Sequence, residues 1–208
     1  YLFRKPVLFS LCVEASSTMK HFIDISMPIH ERMVVYPGDP SPTFITAREN
    51  GITCSTVHLS LHTGTHIDAP LHVFPQGADA TSGFISGPAC VVQVDTPIIT
   101  VEQIHTWPLR WHDRVLVHSR LPHCTLDRQA AQALIHHYGI VVLGLSCLSP
   151  DRVEDHELPI HKFLLKNGVI LIENLVLDDV PPGRYHLYLG WPSFFGREAA
   201  WAKAVLTW

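Results

Sequence analysis

Charge is scarce in this chain. Asp, Glu, Lys and Arg make up 16% of 208 residues, the formal net charge is −4, and Lys and Arg nowhere form a dense cluster. A nucleic-acid binder needs a concentrated basic face, so that class of partner is not expected. No apolar stretch reaches the length of a bilayer-spanning helix, so no membrane partner is expected either. The five cysteines, Cys12, Cys54, Cys90, Cys124 and Cys147, are odd in number, widely spaced and without a CxxC pair. That excludes a disulfide framework and a thiolate zinc site, and reads as a reducing, cytoplasmic compartment. Repeats, low-complexity tracts and long linkers are absent too, so one domain is expected.

The first 18 residues, YLFRKPVLFSLCVEASST, follow the basic-then-apolar order of a short signal peptide, which would mean secretion. Met19 followed by KHFIDIS reads as a natural beginning. Residues 1–18 are therefore taken as a leader or appended segment, and 19–208 as the domain.

What is abundant is histidine. There are 15, as many as Lys and Arg together, and they are dispersed along the chain. With thiolates set aside, any metal must be bound through N and O ligands, and neutral imidazole is the commonest protein ligand for transition metals.

Short β-branched runs at Cys90–Val94, Val115–Val117, Ile140–Leu145 and Val169–Ile172 predict strands buried on one or both faces. Alternation from Val57 to Leu61 predicts another, with Val57, Leu59 and Leu61 on one side. Thr125 is expected to cap a helix through LDRQAAQALIHHY, ended by Gly139. A second helix is expected from Pro159 to Asn167, and a shorter one after Thr100. A loop-rich C-terminus completes a mixed α/β fold with a largely β core.

Residues 62–72 read HTGTHIDAPLH. Thr-Gly-Thr between the first two histidines disfavours a helix, and Gly64 suits a turn closed to other residues. A strand end turning sharply here would aim His62 and His66 at one point. Asp68, two residues on, shares their side if the chain is extended. Two imidazoles and a carboxylate form an N/O site suited to Zn²⁺, Mn²⁺ or Fe²⁺, with positions open for water and substrate. His72 is left over, and its pKa range suits general acid–base work.

These residues resemble the HxGTHxDxPxH signature of the cyclase, or kynurenine formamidase-like, metal-dependent hydrolases. DISMPIHERMVVYPGDP (24–40), HKFLLKNGVILIENLVL (161–177) and GREAAWAKAVL (196–206) resemble further blocks of that family. The resemblance implies a swivelling β/β/α-type domain with flanking helices, usually homodimeric or larger. It implies two divalent cations, most often Zn²⁺, with Mn²⁺ accepted by the same donors. His62, His66 and Asp68 would bind the first, and Asp68, His161 and Glu173 the second. His72 would be the general acid/base. The implied reaction is hydrolysis of a small-molecule amide by metal-activated water: N-formylkynurenine to kynurenine and formate. Ring opening of a cyclic, isatin-type amide fits the same motif, and a non-catalytic metal- or ligand-binding protein is the third reading.

The match thins elsewhere. Ser146 stands in GLSCLSPD where relatives often carry Asp. Lys203 stands where Arg is common, so a substrate carboxylate would be met by Lys203 or Arg197 if by either. Tyr36, Phe74, Phe84, Trp107 and Trp111 are available for an aryl substrate, and Phe74, just past His72, is placed best to touch one.

Overall fold

The structure is a computed structural model and describes residues 21–111, 113–121 and 123–208. The 1–18 segment lies outside the described residues. Thirteen strands are present among them: β1 (Phe22–Asp24), β2 (Thr43–Glu49), β3 (Ile52–His58), β4 (His66–Asp68), β5 (Gly83–Val94), β6 (Ile98–Ile99), β7 (Arg114–Ser119), β8 (Thr125–Leu126), β9 (Val142–Leu145), β10 (Ile170–Glu173), β11 (Gly183–Trp191), β12 (Ala199–Trp201) and β13 (Lys203–Thr207). Three short helices, α1 (Val101–Thr106), α2 (Arg128–Gln132) and α3 (Pro159–Lys166), lie between them.

The β-branched runs become four adjacent parallel strands, β5-β7-β9-β10, at the centre of a nine-stranded sheet. Their side chains alternate between two apolar clusters. Cys90, Val92, Val115, Val117, Leu143, Leu145 and Leu171 face the helices. Ala89, Val91, Leu116, Val142 and Ile172 face away. Both faces are covered, which is why these strands read as continuous apolar runs.

The full strand order is β1-β13-β11-β5-β7-β9-β10-β4-β12. β12 is thus one edge, and β13 is next to the other. Only Ala202 separates the two in sequence, so the sheet must curl until its ends meet. Ile67 and Ala200 from one end share a buried cluster with Leu187 and Leu206 from the other. The curl supplies the cover for the helix-free face.

The largely β core agrees with expectation. The three expected helices are present but short, at 6, 5 and 8 residues. Three local expectations are corrected. The C-terminus is not loop-rich: β11, β12 and β13 build a third of the sheet, with Leu187 and Leu189 inward between more exposed neighbours. Thr125 lies in β8, and Asp127 caps α2 instead, its carboxylate accepting from Ala130 N at 2.6 Å. A carboxylate reaches the third amide more readily than a threonine already committed to a strand. That helix also widens into a π turn over Ala133–His137. Finally, β3 ends at His58, and Val57 is exposed on a two-stranded hairpin with β2 instead of being buried.

One glycine is set directly behind the motif. Pro70–His72 forms a 3-10 turn, with Leu71 N donating to Ala78 O at 2.9 Å. A Cβ on Gly77 would lie 2.4 Å from the Pro70 carbonyl carbon and 2.6 Å from Leu71 N, both main-chain atoms that no rotamer change can move. Gly77→Ala is therefore expected to lower stability by about 1–3 kcal/mol. A fall in the urea midpoint at unchanged m-value checks this; an unchanged midpoint would refute it.

Candidate metal centre

The site is assembled by sheet pairing. Residues 61–65 form the turn, with Gly64 at φ 71°, and β4 follows it. β4 lies between β10 and β12, with His66 opposite Glu173 and Asp68 opposite Leu171. Directly opposed residues project to the same face, as do His66 and Asp68 two apart. Leu171 belongs to the helix-side cluster, so His66, Asp68 and Glu173 open towards α3. That helix presents His161, and the 3-10 turn presents His72. The turn therefore leads into a strand, where the sequence suggested a strand leading into a turn; His62, His66 and Asp68 lie beside one another.

Distances are short. His62 Nδ1 lies 3.1 Å from His66 Nε2 and 3.2 Å from Asp68 Oδ1. His66 Nε2 is 3.5 Å from Asp68 Oδ1 and 3.4 Å from Glu173 Oε2. His161 Nε2 is 3.3 Å from Asp68 Oδ2 and 3.1 Å from Glu173 Oε1. The His72 ring centroid is 4.6 Å from that of His62 and 5.5 Å from that of His161. Two donor groups fall within mutual reach, His62-Asp68-His72 and His66-Asp68-Glu173, and they share Asp68.

These contacts are not ordinary ion pairs. Asp68, His66, His161 and Glu173 are all buried, and Asp68 Oδ1 and Oδ2 and Glu173 Oε1 have no partner in hydrogen-bonding geometry. Nitrogens and oxygens converge on common points without aligning on one another. A buried unpaired carboxylate is costly, and N/O donors arranged this way fit divalent cations.

The outer nitrogens are anchored. His66 Nδ1 contacts Gly64 O at 2.9 Å, and His161 Nδ1 contacts Asp151 Oδ2 at 2.7 Å. Asp151 also accepts from Ile160 N at 2.8 Å and His161 N at 2.9 Å, so it caps α3 where Leu158 cannot. Asn174 Nδ2 donates to Gly64 O at 3.1 Å, and Asn174 O accepts from Thr65 Oγ1 at 2.6 Å. Fixing the far side of a ligating imidazole orients the near side. The ring nitrogens of His72, by contrast, have no hydrogen-bond partner among the described residues.

Electrostatics follow the same plan. Burial pushes His66 down, but Asp68 and Glu173 outweigh it and hold the imidazole up at about 10. His161 is raised well above its usual range against the same burial, by Asp151, Asp68 and Glu173. Burial would raise Asp68, but the surrounding histidines hold its carboxyl well below the usual range. Burial lowers His72. Burial raises the Tyr36 phenol.

The other candidates scatter. Phe74 and Trp107 pack against the helix-side cluster, while Phe84 and Trp111 are exposed. Lys203 is paired with Asp24, and Arg197 donates to Gly196 O. Ser146 Oγ accepts from Ser119 N at 2.9 Å. Asp151 and Asn174 were missed from sequence. The visible traces were an acid closing GLSCLSPD and an amide beside Glu173, neither distinguishable from a loop residue before the helix packs.

The family model described as "Putative cyclase" matches residues 23–152. A kynurenine formamidase of Salinibacter ruber is 32% identical over 213 residues, covering 88% of this chain and 96% of the relative. The structure of a predicted metal-dependent hydrolase from Bacillus stearothermophilus is 30% identical, with a TM-score of 0.77 over 91% of this chain and 99% of its own. Isatin hydrolase A from Labrenzia aggregata shares the fold at 17% identity, with a TM-score of 0.74 over 90% and 93%.

Two expectations arise here. Because His66 and His161 are raised, protons compete with a cation for their ring nitrogens. Zn²⁺ binding should release protons near neutral pH and weaken as pH falls; calorimetry in buffers of different ionisation enthalpy reads this directly. Asp151→Asn should lower Zn²⁺ affinity about 10–100-fold, measured by chelator competition, and an unaltered affinity would remove Asp151 from the centre's support.

Proposed function

Because the chain belongs to the cyclase family of metal-dependent hydrolases, we propose that it is an arylformamidase, cleaving the C–N bond of N-formylkynurenine to give kynurenine and formate. The observation that carries the hydrolytic reading is Asp68: a buried carboxylate with neither oxygen in hydrogen-bonding geometry and three histidine nitrogens within 3.5 Å. The choice of substrate is supported by the formamidase name of a relative matched over nearly its whole length.

In this reading His62, His66 and Asp68 hold one divalent cation, and Asp68, His161 and Glu173 hold a second. Zn²⁺ suits the donors best, and Mn²⁺ is accepted by the same set. Bound cations supply Lewis-acid charge that acidifies water and stabilises a developing oxyanion. The chain does the rest. β4 and β10 keep the carboxylates rigid, and Gly64 O and Asp151 fix two rings, so the donors need not reorganise during reaction. His72 is the residue left to move a proton. It lies beside His62 and His161, and no described residue hydrogen-bonds its ring nitrogens. It takes a proton from the attacking water and passes it from a ring nitrogen to the departing amine nitrogen. Phe74, two residues on, offers an aromatic surface for the aryl group.

The purified protein should contain about two metals per chain and release formate from N-formylkynurenine, with activity lost on chelation and restored by Zn²⁺ or Mn²⁺. Metal without formate release, but with ring opening of isatin, would replace this reading by the cyclic-amide one. His72→Ala should keep both metals and lose about 10²–10⁴-fold in turnover. Loss of one metal equivalent instead would make His72 a ligand, as its place in the His62-Asp68-His72 donor group allows.

A further inference from the structure

We propose that Glu198 is a specificity residue whose carboxylate receives the ammonium of an arylformamide bearing an α-amino-acid end. This rests on the formamidase reading and names the part of the substrate that the metal centre does not.

Glu198 stands immediately before β12, and its main chain is pinned beside the motif: Ala69 N donates to Glu198 O at 2.8 Å. Its side chain reaches the outer edge of the centre, with Oε1 3.6 Å from His62 Nε2. That separation is beyond a hydrogen bond, so Glu198 does not anchor His62 as Asp151 anchors His161. Side-chain exposure rises in one direction across the site, from 0% at Asp68 and 5% at Glu173 to 18% at His62 and 39% at Glu198. Glu198 therefore marks the solvent-side rim, not the floor.

Its carboxylate has no hydrogen-bond donor and no Lys or Arg partner among the described residues. The adjacent Arg197 turns to Gly196 O. Glu198 also belongs to neither donor group that could hold a metal. A half-exposed carboxylate with free acceptor positions beside a reaction centre is placed to receive a cationic donor from a ligand. N-formylkynurenine carries one: its ammonium lies at the far end of the side chain ortho to the formamide. A formamide seated at Asp68 and His72 would leave that end free to reach Glu198, on the far side of His62. Cyclic amides of the isatin type have no such group, so Glu198 would favour the open-chain amino acid.

The test compares N-formylkynurenine with 2-formamidoacetophenone, the same arylformamide without the amino-acid end, in the metal-loaded wild type and in Glu198→Gln. The variant keeps the shape of the side chain and removes its charge. The ratio of kcat/KM between the two substrates should fall about tenfold or more, through KM for N-formylkynurenine, with metal content by elemental analysis unchanged. Equal loss on both substrates, or loss of metal, would make Glu198 a support for His62 and overturn this inference alone. Failure of the wild type to release formate from either substrate would overturn the proposed function, and this inference with it.

Discussion

Everything in the candidate centre turns on one carboxylate. Asp68 is buried, and three histidine nitrogens lie within 3.5 Å of its two oxygens, none in hydrogen-bonding geometry. An isolated buried carboxylate is among the costliest groups a fold can carry. Here the cost is offset by imidazoles gathered from a turn, a strand and a helix. Each approaches from a different side, and removing any of them would leave charge uncompensated. The acidity of Asp68 and the raised basicity of His66 and His161 are two views of that single arrangement.

The arrangement depends in turn on the curl of the sheet. β4 is only three residues long, yet it is paired on both edges, to β10 and to β12. Pairing on both sides fixes its register, and a slip of one residue would turn Ile67 towards the helices and both His66 and Asp68 away. The second of those partners is reached from β11 through residues 192–198, and the chain then passes through Ala202 to β13, beside the opposite edge of the sheet. Closure thus supplies three things together: cover for the helix-free apolar cluster, the register of the strand that carries His66 and Asp68, and the approach of Glu198 to the rim.

Floor and rim are built differently. The floor lies on strands and on the first turn of α3, where Asp151 both caps the helix and holds His161. The rim is a connection, the segment before β12 with Glu198. Rigid elements suit donors that must not move during reaction, and loops suit contacts that distinguish one substrate from another.

Much of this was legible in the order of residues. HTGTHIDAPLH marks its own chemistry, because four ligand-type side chains within eleven residues, separated by glycine and proline, have few purely structural uses. The central strands announce themselves as β-branched runs, and the period-two alternation that sorts them into two clusters is a property of the strand alone. Glu173 enters only through the family resemblance, since a charge closing an apolar strand is by itself an ordinary solvated strand end. What no reading along the chain could supply was adjacency. Val57 looked buried, and is exposed, because alternation says which residues share a side but not whether anything packs there. The C-terminal strands looked like loops because their role is to close a sheet whose other edge is formed more than a hundred residues earlier. Asp151 and Glu198 do not stand out along the chain, because a carboxylate acquires a purpose only when a histidine from another element arrives beside it. Local sequence determined which atoms could bind metal; the curl of the sheet and the packing of α3 decided which of them meet, since only long-range pairing brings residues 62–72, 151, 161, 173 and 198 to one place.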